Sequence, residues 1–287
     1  MNYRTEEAIN HFIREALTED VGTIGDVTTM ASIPKDTLGI ANLKIKDDGI
    51  LAGVVLSEKI FRYLDPAIKI TLLKKDGDAV KTGESAFAVE GKVHTILKAE
   101  RLVLNCMQRM SGIATYTAKL NKRIAHTNAK LLDTRKTTPN FRIPEKWAVE
   151  IGGGVNHRFA LYDMILLKDN HIDFAGGIQK AVNAANEYVQ QTGKVLKIEV
   201  ETRNITEVEE ALKTKGLARI MLDNMSPVEM KKAIGLINGK YETEASGGIT
   251  EKNIAEIAET GVDYISVGAL THSIKSLDLS LKAEILR

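Results

Sequence analysis

Residues 131–268 repeat one pattern, in which a short apolar run ends at a polar residue or a glycine and an amphipathic stretch follows. The apolar runs predict buried strands and the amphipathic stretches predict helices, so the pattern predicts consecutive βα units. The strands end at nearly even intervals along the chain, which favours a parallel barrel over a doubly wound sheet. Fewer strands are readable than the eight of a complete barrel. We therefore expect an α/β fold with a TIM-like (β/α) barrel, whose closure is inferred from the spacing.

The residues before this pattern predict a different architecture. Residues 40–45 alternate apolar and polar side chains with period two, and Asp76-Gly77 is a turn dipeptide. Together with the amphipathic helices expected around them, such short strands predict an N-terminal α+β sandwich domain. The predicted domains are an N-terminal α+β domain at residues 1–112, a catalytic barrel at 113–270, and a C-terminal helix at 271–287 that packs back on the N-terminal domain.

Composition excludes several classes of protein. The formal net charge is +1 at pH 7, so no global field draws the chain to nucleic acid or to acidic membranes. Cys106 is the only cysteine, which rules out an intramolecular disulfide and disfavours a cysteine-based metal site. The first residues contain no apolar core of the signal-peptide type, and no run approaches membrane-spanning length. We expect a cytoplasmic protein.

Charged residues and glycines occupy the predicted carboxyl ends of the strands. In a (β/α) barrel these ends face the active site, so their side chains are expected to converge. Several cations in one mouth imply a polyanionic ligand, because like charges repel when no counterion is bound. Two glycine turns suit a phosphate, and two carboxylates suit Mg²⁺ or ribose hydroxyls. The residues at these ends are Arg135, Lys136, Lys168, Glu201, Asp223, Ser246, Gly247, Gly248 and Gly268.

A glycine-rich segment between the first two of these strands adds His157 and Arg158 to the cations. Other polar residues have simpler interpretations. Asp26 fits a turn followed by a helix cap. Arg101 and Arg109 lie off the apolar stripe of a long predicted helix and, from the residues alone, fit a solvated surface. No spacing of His, Asp and Glu fits a zinc site.

The chain carries, in order, the motifs LLDTRKTTP, GGGVNHR, LKDNH, IEVE, MLDN, EASGGI and SVGALTHS. In these motifs, and over essentially its whole length, the sequence resembles the quinolinate phosphoribosyltransferase family, the decarboxylating nicotinate-nucleotide pyrophosphorylases. The resemblance implies a pentosyltransferase with an incomplete barrel. Such an enzyme converts quinolinate and phosphoribosyl pyrophosphate to nicotinate mononucleotide, pyrophosphate and CO₂ in de novo NAD biosynthesis. Asn140 and Ala160 stand where the family pattern leads us to expect glycine, and neither matches a binding position.

The resemblance also implies roles for individual residues. Lys168, Glu201 and Asp223 would be catalytic, and both carboxylates would lie near the ribose and Mg²⁺, directly or through water. Lys136 would lie toward the pyrophosphate. The residues implied to contact quinolinate are Arg135, His157, Arg158, Lys168 and, from a neighbouring subunit, Arg101. Those implied to bind the 5′-phosphate are Ser246, Gly247, Gly248 and Gly268.

Mg²⁺ is the one cofactor that the resemblance implies, without an organic cofactor. It further implies a homodimer, with hexamers in some members, in which the N-terminal domain of one chain covers the barrel mouth of the other. The expected partners are the two small-molecule substrates, not nucleic acid or a membrane. This arrangement would give Arg101 a role that the surface interpretation does not.

Three alternatives share parts of the pattern. Nicotinate phosphoribosyltransferase is a related enzyme whose substrate has one carboxylate, and the number of cations here favours a diacid. A Schiff-base aldolase also places a lysine at a barrel strand end, as Lys168 is placed here. A non-catalytic relative would keep the fold but would have no need of Glu201 and Asp223. Fold alone does not separate these functions.

Overall fold

A computed structural model describes residues 3–284, and these residues form two compact units. One unit comprises residues 119–136 and 154–269, and the other comprises the described parts of 2–118, 137–153 and 270–287. The helices are α1 (Glu6–Val21), α2 (Val27–Ser32), α3 (Val54–Leu64), α4 (Val93–Ile124), α5 (Arg142–Ile151), α6 (Asp169–Ala175), α7 (Ile178–Thr192), α8 (Ile205–Leu212), α9 (Pro227–Ile237), α10 (Ile254–Ala258) and α11 (Ala269–His272). The strands are β1 (Leu38–Ile45), β2 (Gly49–Ile50), β3 (Lys69–Leu72), β4 (Ala79–Val80), β5 (Ser85–Lys92), β6 (Lys130–Leu132), β7 (Ile165–Leu167), β8 (Ile198–Thr202), β9 (Arg219–Asp223), β10 (Glu242–Ser246), β11 (Tyr264–Ser266) and β12 (Leu279–Glu284).

The unit that contains the N-terminal residues is built on an antiparallel sheet with strand order β12-β1-β5-β3. Alternation along β1 buries Ala41, Leu43 and Ile45 and leaves the residues between them less buried, as the period-two pattern predicts. Phe61 of α3 and Phe87 of β5 meet edge to face with ring centroids 6.1 Å apart. The predicted α+β architecture of this region is present.

The predicted C-terminal helix is wrong over β12. Residues 279–284 form a strand that pairs antiparallel with β1, with Leu279 opposite Ile45 and Leu281 opposite Leu43. The physical reason is alternation, because Leu279 and Leu281 are buried and the residues between and after them are not. Residues 285–287 of the predicted helix lie outside the described residues. The domain boundary at residue 112 stays a prediction, since the compact units are interleaved along the chain.

The other unit contains the βα repeats. Its six strands are all parallel, in the order β6-β11-β10-β9-β8-β7, and a bridge pairs Val155 with Leu132 of β6. Within residues 3–284 no ladder joins β7 to β6, so the sheet is an incomplete barrel, as predicted. α9 begins with a capping box between Ser226 and Glu229, and Pro227 is its first residue.

Strand alternation decides which side chains enter this barrel. Glu199 and Glu201 share one face of β8, and residues 219, 221 and 223 share one face of β9. On β10 the corresponding residues are 242, 244 and 246, and Glu244 lies opposite Met221 in the parallel register. Polar side chains therefore line the barrel in successive layers. None of the described helices combines the length and apolar character that a membrane span requires.

Candidate active site

A cavity of about 340 Å³ lies at the carboxyl ends of the barrel strands. Residues from β7, β9, β10 and β11 and from the segments after β6 surround it, which is the position expected for a ligand site in this fold. Six of the predicted site residues line it, namely Arg135, Lys136, His157, Arg158, Lys168 and Ser246. The other lining residues are Asp133, Thr134, Leu166, Met221, Glu244 and Ser266.

The cations of this cavity affect one another. Burial lowers the pKa of the Arg158 guanidinium, and the neighbouring charge of Arg135 lowers it further. Glu199 and Asp163 act in the opposite direction on the same group. Crowded cations of this kind are stabilised by an anion placed between them.

Lys168 and Glu201 form an ion pair at the mouth of the barrel. Lys168 Nζ lies 2.7 Å from Glu201 Oε2, and the side chain of Glu201 is 6% exposed whereas that of Lys168 is 46% exposed. The main-chain N–H of Asp169 donates to Glu201 Oε1 at 3.3 Å. Lys168 caps α6, a helix that the sequence did not predict, and its N–H donates to His171 Nδ1 at 3.0 Å. This ion pair presents a lysine ammonium group to the cavity.

Asp223 and the glycine turn after β10 are joined by Asn224. Asn224 has φ 54°, its N–H donates to Ser246 O at 2.8 Å, and its Nδ2 donates to Asp223 Oδ2 at 2.7 Å. A Cβ on Gly247 would lie 2.2 Å from Asn224 Oδ1, and Gly247 itself has φ +86°. Only glycine fits at this position. Asn224 was not among the predicted site residues.

Five predicted residues lie near strand ends without lining the cavity: Glu201, Asp223, Gly247, Gly248 and Gly268. α10 begins at Ile254, several residues after the glycine turn that follows β10. Asn253 Oδ1 accepts the N–H of Thr250 at 2.7 Å and holds the intervening residues as a turn. This helix therefore does not directly follow the glycine turn.

Arg101 and Arg109 have different surroundings on α4. Arg101 is exposed, belongs to the other compact unit and does not line the cavity of the described chain. Arg109 is 24% exposed and donates to Glu145 through Nε at 3.1 Å and Nη2 at 2.9 Å, and also to the carbonyls of Thr271 and Ile274. The surface interpretation of Arg109 is wrong, because its partners are distant in sequence and become visible only in the fold.

A cluster of charged side chains that the sequence did not reveal lies inside the barrel, and we call it the barrel cluster. It consists of His157, Glu199, Arg219 and Glu244, all less than a tenth exposed. His157 Nε2 lies 3.0 Å from Glu199 Oε2 and 3.3 Å from Glu244 Oε2. Arg219 Nη1 lies 2.7 Å from Glu244 Oε2, and its guanidinium stacks 4.0 Å from the ring centroid of Tyr264.

The barrel cluster shifts the pKa values of its own members. Burial would lower the pKa of His157, but hydrogen bonds to Glu199 and Glu244 outweigh it and raise that pKa to about 9. Burial and the charge of Glu244 raise the pKa of Glu199. Burial would raise the pKa of Glu244 too, but His157 and Arg219 outweigh burial and lower it. The cluster therefore balances cations against carboxylates away from water.

Ligand atoms of His157, Glu199 and Glu244 lie within 4.8 Å of one another, close enough to raise the question of a metal. The 2.7 Å contact between Arg219 and Glu244 places a fixed positive charge where a divalent cation would have to bind. We interpret the group as an ion-pair network.

A parallel, incomplete (β/α) barrel with a cationic cavity at its strand ends defines a class: barrel proteins that bind anionic ligands at the barrel mouth. Models of the quinolinate phosphoribosyl transferase family match residues 26–111 for the N-terminal domain and 113–282 for the C-terminal domain. The chain belongs to the quinolinate phosphoribosyltransferase family.

Individual relatives are similar in sequence to nearly the whole chain. Quinolinate phosphoribosyltransferase (decarboxylating) 1b of Nicotiana tabacum is 51% identical over 286 residues, which cover 95% of this chain and 81% of that protein. The probable nicotinate-nucleotide pyrophosphorylase (carboxylating) of Bacillus subtilis is 41% identical, covering 98% of this chain and 94% of that protein. The crystal structure of NadC from Streptococcus pyogenes is similar with a TM-score of 0.91 at 40% identity, and the match covers 99% of both chains.

Proposed function

We propose that this protein transfers the phosphoribosyl group of phosphoribosyl pyrophosphate to the ring nitrogen of quinolinate. Pyrophosphate leaves C1 of the ribose as the new C–N bond forms. The C2 carboxylate then leaves as CO₂, and a proton replaces it to give nicotinate mononucleotide. The observation that carries the proposal is the cavity at the strand ends, where Arg135, Lys136, Arg158 and Lys168 converge. Membership of the family supports it.

The charge of the cavity supports a diacid substrate. Quinolinate brings two carboxylates, and arginine binds carboxylates through two parallel hydrogen bonds. Arg135 and Arg158 are the proposed carboxylate contacts, with Lys168 beside them and Lys136 toward the pyrophosphate. A substrate with one carboxylate would leave more of this crowded positive charge uncompensated. His157 forms part of the same wall.

Electrostatics accounts for both chemical steps. As pyrophosphate leaves, positive charge develops on the ribose, and the carboxylates Glu201 and Asp223 are the proposed groups that stabilise it. Nitrogen attack makes a pyridinium, whose positive charge stabilises the electron pair left at C2 when CO₂ departs. The 2.7 Å ion pair of Lys168 with Glu201 supports an electrostatic role for this lysine over a Schiff-base role.

The phosphate end of the substrate is assigned to the turn after β10 and to Gly268. At Gly247 and Gly248 the main chain has positive φ, and no Cβ covers the turn. Exposed N–H groups of such a turn bind phosphate oxygens well. Ser246 lines the cavity beside them and supplies a hydroxyl.

Mg²⁺ is the cofactor that we propose. Within residues 3–284 neither Glu201 nor Asp223 belongs to a group of three potential protein ligands. Mg²⁺ is commonly held by one or two carboxylates together with substrate phosphates and waters, and these two residues fit that mode. When bound, the ion would neutralise charge on the departing pyrophosphate.

A homodimer, with hexamers as a further possibility within the family, is the assembly that we propose. In the dimer the exposed Arg101 of one chain would reach quinolinate in the other. An exposed arginine on a long helix, outside the cavity of its own chain, is consistent with such a role. A cytoplasmic location is proposed from the sequence alone.

One assay tests the activity. Purified protein is mixed with Mg²⁺, phosphoribosyl pyrophosphate and either quinolinate or nicotinate, and nicotinate mononucleotide and CO₂ are measured. Product and CO₂ from quinolinate alone are expected. Product from nicotinate alone would instead assign the chain to nicotinate phosphoribosyltransferase activity. No turnover by folded protein would contradict the proposal, and borohydride trapping with a carbonyl substrate would then test the aldolase alternative.

A further inference from the structure

The barrel cluster is unusual for a protein interior because it places four ionisable side chains in contact with one another. Buried charges are costly unless they are paired and hydrogen-bonded. Among residues 3–284, Glu199 Oε1, Glu244 Oε1 and Arg219 Nε are buried and have no hydrogen-bond partner. In other proteins, replacing buried ion pairs by well-packed apolar side chains is often neutral or stabilising. The cluster therefore calls for a role other than stability.

The contacts of His157 point to that role. Its Nε2 faces Glu199 and Glu244, and its Nδ1 lies 2.7 Å from the main-chain nitrogen of Arg158. Its own main-chain N–H donates to Asp133 Oδ1 at 2.9 Å. Both ring nitrogens are thus engaged by the protein. The ring links the two carboxylates to the main chain of Arg158, whose side chain lines the cavity.

Glu242 provides a comparison that distinguishes this role from general stabilisation of the barrel. It pairs with Arg219 at 3.2 Å on the same strand face as Glu244, but its side chain is 38% exposed. The carboxylate contacts of His157 are instead with Glu199 and Glu244. Removing the charge of Glu242 alters the cluster through Arg219, whereas removing that of Glu244 also alters the environment of His157.

We infer that Glu199 and Glu244 are positioning residues for quinolinate: they hold the His157 ring, and the ring holds Arg158 at the carboxylate end of the cavity. This inference rests on the proposed function and extends it to residues that do not themselves touch the substrate. In this arrangement His157 offers quinolinate its ring edge while its nitrogens keep their protein partners. A site whose supporting contacts are lost holds its ligand groups less well.

Three isosteric variants, Glu199→Gln, Glu244→Gln and Glu242→Gln, test the inference in the full-length protein. For the first two, KM and calorimetric Kd for quinolinate should rise by about tenfold or more, the size typical for supporting residues of a binding site. KM for phosphoribosyl pyrophosphate and kcat should stay near the wild-type values. Glu242→Gln should behave as the wild type in all four quantities.

Several results would overturn the inference. One is a quinolinate KM at the wild-type value in folded Glu199→Gln and Glu244→Gln proteins. Another is an equal rise of both substrates' KM with a lowered Tm, which is the signature of a merely structural role. If one variant does not fold, the other is read in the same way. His157→Asn provides a further variant, because the shorter side chain does not reach the two carboxylates. It should therefore share the KM increase.

The wild-type protein distinguishes the two levels of the proposal. If it neither binds quinolinate nor forms nicotinate mononucleotide, the proposed function fails and the inference fails with it. If the wild type turns over quinolinate and the glutamine variants match it, only the positioning inference is overturned.

Discussion

At the scale of single residues, the charged side chains in and beneath the cavity are of two kinds, those at strand ends and those within strands. Arg135, Lys136 and Lys168 project from strand ends and are recognisable from their place after apolar runs. Glu199, Arg219 and Glu244 lie within strands and meet only when β8, β9 and β10 pair. The first kind determines the charge of the cavity, and the second determines how its wall is held.

Lys168→Ala is expected to lower kcat/KM for quinolinate by about 10²–10³, the loss typical of one group that stabilises transition-state charge. Its salt-bridge partner Glu201 would then remain with uncompensated negative charge near the cavity. Steady-state kinetics measures the effect. Lys232→Ala, an exposed lysine of α9, serves as the matched control and should leave kcat/KM unchanged. Unchanged kcat/KM in Lys168→Ala would contradict the role given to Lys168.

Gly247→Ala should raise KM for phosphoribosyl pyrophosphate strongly. The new Cβ would collide with Asn224 Oδ1, and an alanine is strained at φ +86°. Gly235→Ala is the control, since that glycine has open space and lies in α9, where alanine should stabilise by roughly 0.5–1 kcal/mol. Kinetics and thermal melting separate the two outcomes. If Gly247→Ala bound phosphoribosyl pyrophosphate as tightly as the wild type, the assignment of this turn to the phosphate site would be contradicted.

The charged groups at strand ends were predictable because each follows an apolar run that stops abruptly, as at Lys168 after β7. The barrel cluster was not predictable, because a glutamate inside a strand indicates a solvated face unless its partner is known. The one available signal was the period of two in residues 198–201, which places Glu199 on the same face as Glu201. The surface interpretation of Arg109 was wrong for the same reason, because its partner Glu145 lies far from it in sequence.

At the scale of secondary-structure elements, the sequence predictions were correct where a local signal such as a helix-capping residue was strong. Asp26 was predicted to cap a helix, and its Oδ1 accepts the N–H of Thr29 at 3.0 Å at the start of α2. Where two periodicities competed, the prediction failed, as in the tail that forms β12. Helices α5 and α6 were missed because both are short, carry several charged residues and are followed directly by glycines.

Asp26→Ala should lower the free energy of unfolding by about 1 kcal/mol, the usual cost of a lost N-cap. Hydrogen bonds from Thr29 hold the pKa of Asp26 below its usual value of 3.8. A lowered folded-state pKa means that this stability is present above the unfolded-state pKa and is lost as pH falls through the folded-state value. The difference between wild type and variant in urea unfolding should therefore shrink below pH 3.8. Asp26→Asn, which keeps a capping side chain, should lose less at neutral pH.

Leu279→Ala tests β12 as a buried strand. Leu279 is 3% exposed, so truncation should cost about 2 kcal/mol or more in unfolding free energy. Lys282→Ala on the exposed part of the same strand should stay within about 0.5 kcal/mol of the wild type. Equal and small effects of both changes in denaturant unfolding would be inconsistent with the buried strand.

At the scale of the whole molecule, the proposed homodimer makes a prediction that a monomer does not. Arg101→Ala and Lys168→Ala proteins should each be nearly inactive, because each lacks a group proposed to contact quinolinate. When the two are mixed under conditions that allow subunit exchange, hybrid dimers contain one site with both groups intact. Activity should return, and the product assay measures it. A mixture that stays inactive, although size-exclusion chromatography shows exchanged dimers, would contradict a shared site.

The pairing of β12 with β1 has a consequence for the timing of folding. These strands lie at opposite ends of the described chain, yet they are neighbours in one sheet. During synthesis β1 is made long before β12, and this edge of β1 has no partner until β12 has left the ribosome. An unpaired edge of that kind attracts other chains. This sheet is thus completed only once β12 has been made, and nascent chains that lack β12 leave the edge of β1 open to other chains.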